Sequence, residues 1–304
     1  MRFVFRDGEG QWRNGWKALG AVLLTVVLGG GGLLLHGLLP TALRKAVPAP
    51  FVLFLAALLA SFVCLRLERR SLASIGLSPG RRWGRDLGLG ALGGIVLVVT
   101  VAGLVGGAGG FHLEWAEAAS ASVLVKAAWM MLGVALFEET LFHGYAFQRA
   151  IRGLGVRWAQ VLLSVLFCLA HPFSSEMEAS TKAVAMLSTF LAGWMLGLCY
   201  LRTGQIALPV GVHLGWNWML GCLGFGVSGN DSKGFWTPVF HDRPEWFTGG
   251  RYGLEGSIGA VVVLGLAIVL LTRWKGFSPP ETASHGAPEI GAEGRPETAA
   301  GSAA

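Results

Sequence analysis

Of the chain's 304 residues, 53% are hydrophobic and only 14% charged, where a soluble domain carries about 25% charged residues. A water-soluble globular fold is therefore set aside for a polytopic membrane protein, an all-α bundle of helices. The net charge of +6 does not argue for nucleic acid, because the basic residues collect at the ends of apolar runs, where they report membrane topology.

In chain order, residues 1–16 form a polar-leaning N-terminal segment. The first apolar run is long enough to span and reads as a span rather than a cleavable signal. About eight spans follow, each near the ~20 residues that a bilayer core requires: 17–39, 48–67, 87–108, 122–149, 157–173, 182–202, 205–227 and 254–274. Together they make a transmembrane bundle over 17–277. Glycines 29–32 inside the first span suit close helix packing. Residues 68–86 are basic, contain the turn Ser78-Pro79-Gly80, and predict a loop with a short surface helix. The connection 228–253 places Trp236, Phe240, Trp246 and Phe247 at headgroup level. Residues 278–304 are rich in Pro, Ala, Gly and Glu and predict a disordered tail. The four cysteines, Cys64, Cys168, Cys199 and Cys222, sit singly in apolar stretches as small buried residues.

Counting Lys and Arg by side gives 17 with the N-terminus and 7 opposite, 24 in all. Both termini are expected in the cytoplasm. The Gly-, Ala- and Arg-rich composition is of bacterial type, so the expected location is the bacterial inner (plasma) membrane.

The fourth span carries two adjacent carboxylates, Glu138 and Glu139, with His143 one turn later. A charge at the middle of a span costs about 3 kcal/mol on insertion scales, so such residues face a protein interior or a wet cavity and serve a function. His171 lies near the end of the fifth span, and His213 and Asn217 share one face of the seventh at i,i+4 spacing. At 1.5 Å per residue, Glu138 lies about 16 Å from the cytoplasmic side, His171 about 21 Å, His213 about 14 Å and Asn217 about 20 Å. These groups converge in one layer. His36 and His112 sit singly near span ends and read as interfacial.

A carboxylate beside histidines in a hydrated site can take a proton from water. A neutral histidine and an Asn amide can donate to an oxyanion forming on an attacked carbonyl. Ser164 and Cys168 share a helix with His171, which places them poorly for activation as nucleophiles. No cofactor is expected. Zinc is the competing possibility, with Glu138, His143, His171 and His213 as its donors, although no HExxH is present.

Three motifs, Glu138-Glu139-Thr140-Leu141-Phe142-His143, Phe167-Cys168-Leu169-Ala170-His171 and His213-Leu214-Gly215-Trp216-Asn217, resemble the EExxxR, FxxxH and HxxxN/D pattern of the CAAX prenyl protease and bacteriocin-processing family, the type II CAAX prenyl endopeptidases. The similarity covers about residues 122–227. It implies an intramembrane glutamic endopeptidase in which Glu138 activates water with His171 while His213 and Asn217 polarise the peptide carbonyl, and Glu139 belongs to the same catalytic set. It implies a conical cavity open to the cytoplasm and bilayer, and a membrane-associated or lipid-modified peptide as partner. A prenylated C-terminal Cys is the family's eukaryotic client; peptide maturation suits a bacterial chain.

One position departs from the pattern, since the family's arginine is His143 here. Arginine stays charged, whereas histidine does so only when protonated. We therefore expect His143 to modulate the site by sharing a proton with Glu139. Two further functions compete with the peptidase: a bacteriocin-immunity or membrane interaction protein without activity, and a proton-coupled transporter, against which the lack of an inverted repeat counts.

Overall fold

The computed structural model describes residues 5–276, apart from 7, 9 and 117–119. The expected tail 278–304 lies outside the described residues. The described chain is a helical bundle: α1 (Asn14–Gly37), the short α2 (Thr41–Ala46), α3 (Ala49–Leu67), α4 (Arg81–Gly107), α5 (Ala121–His143), α6 (Tyr145–Ala170), α7 (Ala179–Thr203), α8 (Ala207–Cys222), the single turn α9 (Glu245–Thr248) and α10 (Ile258–Arg273). A 3-10 turn, Leu72–Ile75, supplies the expected short helix between α3 and α4.

Five helical stretches are long and apolar enough to cross a membrane: α1, α3, α4, the bent stretch Ala121–Ala170, and α7. The bent stretch holds both the fourth and the fifth expected spans. The fourth was drawn as one run to Arg149, but α5 stops at His143. Gly144 takes φ −84° and ψ −125°, and a Cβ there would stand 2.3 Å from the Thr140 carbonyl oxygen. Only glycine lets the chain turn so tightly. A second break follows at Gly155, whose φ of +78° favours a residue without a side chain. Between the two glycines lies a buried helical connector that includes Tyr145, Phe147 and Arg149. The seventh and eighth expected spans correspond to α8 and α10, each of 16 residues. Ser257 starts α10 by accepting from the Ala260 amide at 3.2 Å.

The closest helix contact in the bundle joins α4 to α8. Gly90 and Gly94 on α4 face Gly211 and Gly215 on α8, each pair spaced four residues apart so that both glycines share a helix face. A Cβ on Gly94 would lie 2.2 Å from the Val212 carbonyl oxygen, and one on Gly215 would lie 2.0 Å from that of Ala91. Backbones packed this closely gain dispersion and weak hydrogen bonding that larger residues would forbid. The quartet fixes α8, and with it His213 and Asn217.

The loops sort onto two faces. One is arginine-rich: Lys17 and Arg149 pair with Glu68 at 3.3 and 3.0 Å, Tyr145 donates to Glu68 at 2.9 Å, and Arg82 donates to the Thr203 carbonyl at 3.1 Å. On the other, the loop face, β1 (Phe111–Trp115) pairs antiparallel with β2 (Trp236–Phe240). That two-stranded sheet was not expected from sequence, and it takes Trp236 and Phe240 into a strand. His112 was read as a lone interfacial residue. It is half-exposed but not alone: its Nδ1 meets His241 Nε2 at 2.9 Å and its Nε2 meets Glu114 at 3.3 Å. His36, the other such residue, meets the Val47 carbonyl at 2.8 Å.

Candidate active site

Glu138 and Glu139 stand about 100° apart around α5, because successive helical residues are separated by that turn. The consequence is a division of labour. Glu139 is wholly buried. Its Oε2 accepts from His143 Nδ1 at 2.7 Å, and its Oε1 accepts from His213 Nδ1 at 2.8 Å. It touches two imidazoles and lies behind the cavity rather than in it. Glu138 is about one-fifth exposed and points the other way. Its Oε2 has no hydrogen-bond partner in the protein and faces His171 Nε2 at 4.0 Å and His213 Nε2 at 3.8 Å.

The hydrogen bonds set the tautomers. His171 Nδ1 meets the Phe167 carbonyl at 2.7 Å, and a carbonyl only accepts, so Nδ1 holds the proton. His213 Nδ1 donates to Glu139 in the same way. Both Nε2 atoms therefore carry lone pairs when the rings are neutral, and three acceptors face one another across the gap. This corrects the expectation that a neutral His213 donates to an oxyanion: it donates from Nε2 only when doubly protonated, with Glu139 as the counter-charge. The 3.8 and 4.0 Å separations exceed a hydrogen bond and match the span of a bridging water that donates to both sides.

Beside these groups is a cavity of about 40 Å³ lined by His171, His213, Asn217, Phe167, Trp216 and Glu255, among others. A water needs about 10–15 Å³ on this measure and two or more polar partners, so the space and lining admit two or three waters. The Asn217 amide makes no hydrogen bond to another described residue and is free to act on a bound group.

Three of the five expected catalytic residues, His171, His213 and Asn217, line this cavity; Glu138 lies within 4.0 Å of both imidazoles, and Glu139 stands behind His213. The expected modulator His143 lies on Glu139, its ring edge-to-face with Phe147 at 5.5 Å. Of the four candidate zinc donors, Glu138 lies within 4.0 Å of His171 and His213, while His143 is turned away onto Glu139. Among the described residues no group of three or more His, Cys, Asp or Glu side chains is arranged to hold a metal ion.

One acidic residue in the cavity was missed. Glu255 accepts from Trp216 Nε1 at 3.1 Å and from the Ser228 amide at 2.6 Å, and no Lys, Arg or His lies within ion-pair distance among the described residues. It sits in a 3-10 turn just before α10, beyond every motif. Its isolation as the sole acidic residue before a 16-residue apolar helix was the available signal.

No curated protein matches the chain significantly. Residues 120–219, which hold all three motifs, match the family described as type II CAAX prenyl endopeptidase Rce1-like. With its apolar helices the chain is an integral membrane protein, and over residues 120–219 it is similar to the CAAX protease family.

Proposed function

We propose that the protein is a glutamate-dependent intramembrane endopeptidase acting on a membrane-bound or lipid-modified peptide. The observation that carries this reading is Glu138 Oε2, partnerless within the protein and set 4.0 and 3.8 Å from two imidazole nitrogens. A water held there donates to Glu138, which takes its proton as the hydroxide adds to the peptide carbonyl carbon. The carbonyl π electrons move onto oxygen, where the Asn217 amide and doubly protonated His213 donate to the oxyanion. The tetrahedral species collapses, the C–N bond breaks, and Glu138 returns the proton to the leaving amine. Glu139 orients His213 and is a positioning residue. No step is routed through a metal, and the chelator arm of the test below addresses that alternative.

The test is cleavage of a library of membrane-inserted peptides by purified protein, with and without a chelator, beside Glu138→Gln. The expected result is cleavage that survives chelation and is lost in the variant. Chelator-sensitive cleavage would replace the glutamate mechanism by a metal-dependent one. Undiminished cleavage by Glu138→Gln would overturn the assignment of the base.

A further inference from the structure

A second cavity of about 440 Å³ opens on the loop face, between the α6–α7 connection and the segment leading to α10. Its wall is polar, with Ser174, Glu176, Asn230, Glu245, Arg251 and Tyr252 among its residues. Ser228 lines both this cavity and the smaller one beside Glu138, and its amide is held by Glu255. Glu255 in turn holds Trp216 on α8, one residue before Asn217. Towards the arginine-rich face the site is closed. His143 packs on Phe147, Phe147 on Tyr200 at 5.8 Å, and Gln148 hydrogen-bonds Tyr200, all of them buried. Beyond that plug lies the Glu68–Arg149 pair.

We propose that the polar cavity on the loop face is the substrate vestibule, and that Ser228 and Glu255 form its threshold. This rests on the peptidase reading above. The occupant is the water-exposed segment of the substrate, an extended peptide whose backbone needs donors and acceptors, which hydroxyl, amide, carboxylate and guanidinium groups supply together. A volume of this size is ordinary for a ligand site. The scissile bond would then reach Glu138 from the loop face. With the arginine-rich face in the cytoplasm, as the distribution of basic residues indicates, that is the side opposite the cytoplasm.

Two single-cysteine additions test the route: Glu176→Cys in the vestibule and Ser71→Cys on the arginine-rich face, both exposed positions. Each is compared before and after reaction with a bulky polyethylene-glycol maleimide, and wild type treated alike corrects for the native thiols. Peptide cleavage should fall about tenfold or more on labelling Glu176→Cys and stay near its unlabelled rate for Ser71→Cys. Full activity of labelled Glu176→Cys, or equal inhibition at Ser71→Cys, would overturn the proposal. If wild type cleaves no peptide, the hydrolase reading fails by itself, and crosslinking then decides the route. A peptide with a photoreactive group in its polar segment should mark residues 174–181 and 228–252, and marking of 68–80 instead would overturn it.

Discussion

Carboxylates at two places in this bundle are neutralised in different ways. At the arginine-rich face Glu68 meets Lys17, Arg149 and the Tyr145 hydroxyl. Its partners are permanent cations and a neutral donor, and Arg149 is all but buried. In the interior, Glu138 and Glu139 meet only imidazoles, and Glu255 meets only N–H and hydroxyl donors. A carboxylate locked to arginine keeps its charge and holds the structure together. A carboxylate facing imidazoles has neighbours that can gain or lose a proton. The first arrangement suits a clamp and the second suits proton transfer.

The contrast is broken most sharply at Glu138. Glu138→Gln should lower the cleavage rate by about 10⁴-fold, the upper range for losing a general base, with unchanged membrane insertion and melting temperature. A smaller effect follows for Glu139→Gln. The amide keeps the shape but no longer supplies the counter-charge behind His213, and the rate should fall by about 10²-fold, as for other groups that orient a functional histidine. Steady-state kinetics should place that loss in kcat with KM little changed. If Glu139→Gln costs as much as Glu138→Gln, the division between base and buttress is wrong.

Glu68→Gln should do the reverse. Removing one partner leaves Arg149 buried without its carboxylate, which destabilises by about 3–5 kcal/mol. The melting temperature in detergent should drop while cleavage per folded molecule changes by less than about twofold. A large loss of specific activity would show that the clamp is coupled to the chemistry. The subtlest change is His143→Arg, which puts a permanent cation on Glu139. The histidine can give up its second proton, and with it Glu139's counter-charge, whereas the arginine stays charged. Wild-type activity should therefore fall relative to the variant as the pH is raised. Superimposable pH–rate profiles would end the idea that Glu139 and His143 share a proton.

Much of the frame was legible because a bilayer leaves a helix few choices. Long apolar runs must satisfy their own backbone, and a rise of 1.5 Å per residue converts position along a run into depth. That arithmetic brought Glu138, His171 and His213 to one layer, and they meet within 4.0 Å. It worked even though the fourth span was drawn six residues too long, to Arg149 instead of His143. The connector between Gly144 and Gly155 carries the chain on before it turns back, so both strokes were measured from the correct end.

What depth cannot supply is direction around the helix axis, or contact between segments far apart in the chain. Glu138 and Glu139 are chemically identical neighbours, and only the packing of α5 turns one to the Nε2 atoms of His171 and His213 and the other to His143 and His213 Nδ1. The same holds for the glycine quartet between α4 and α8, for His112 against His241, and for Glu255 at the Ser228 threshold. Sequence by itself determined the apolar spans, the family resemblance and the residue types that gather at one depth, because periodicity, hydropathy and motif spacing are local properties. Tertiary structure alone decided which glutamate faces the two imidazole Nε2 atoms, which one lies behind His213, and which residues line the cavities, because those depend on helix rotation and on contacts across the chain.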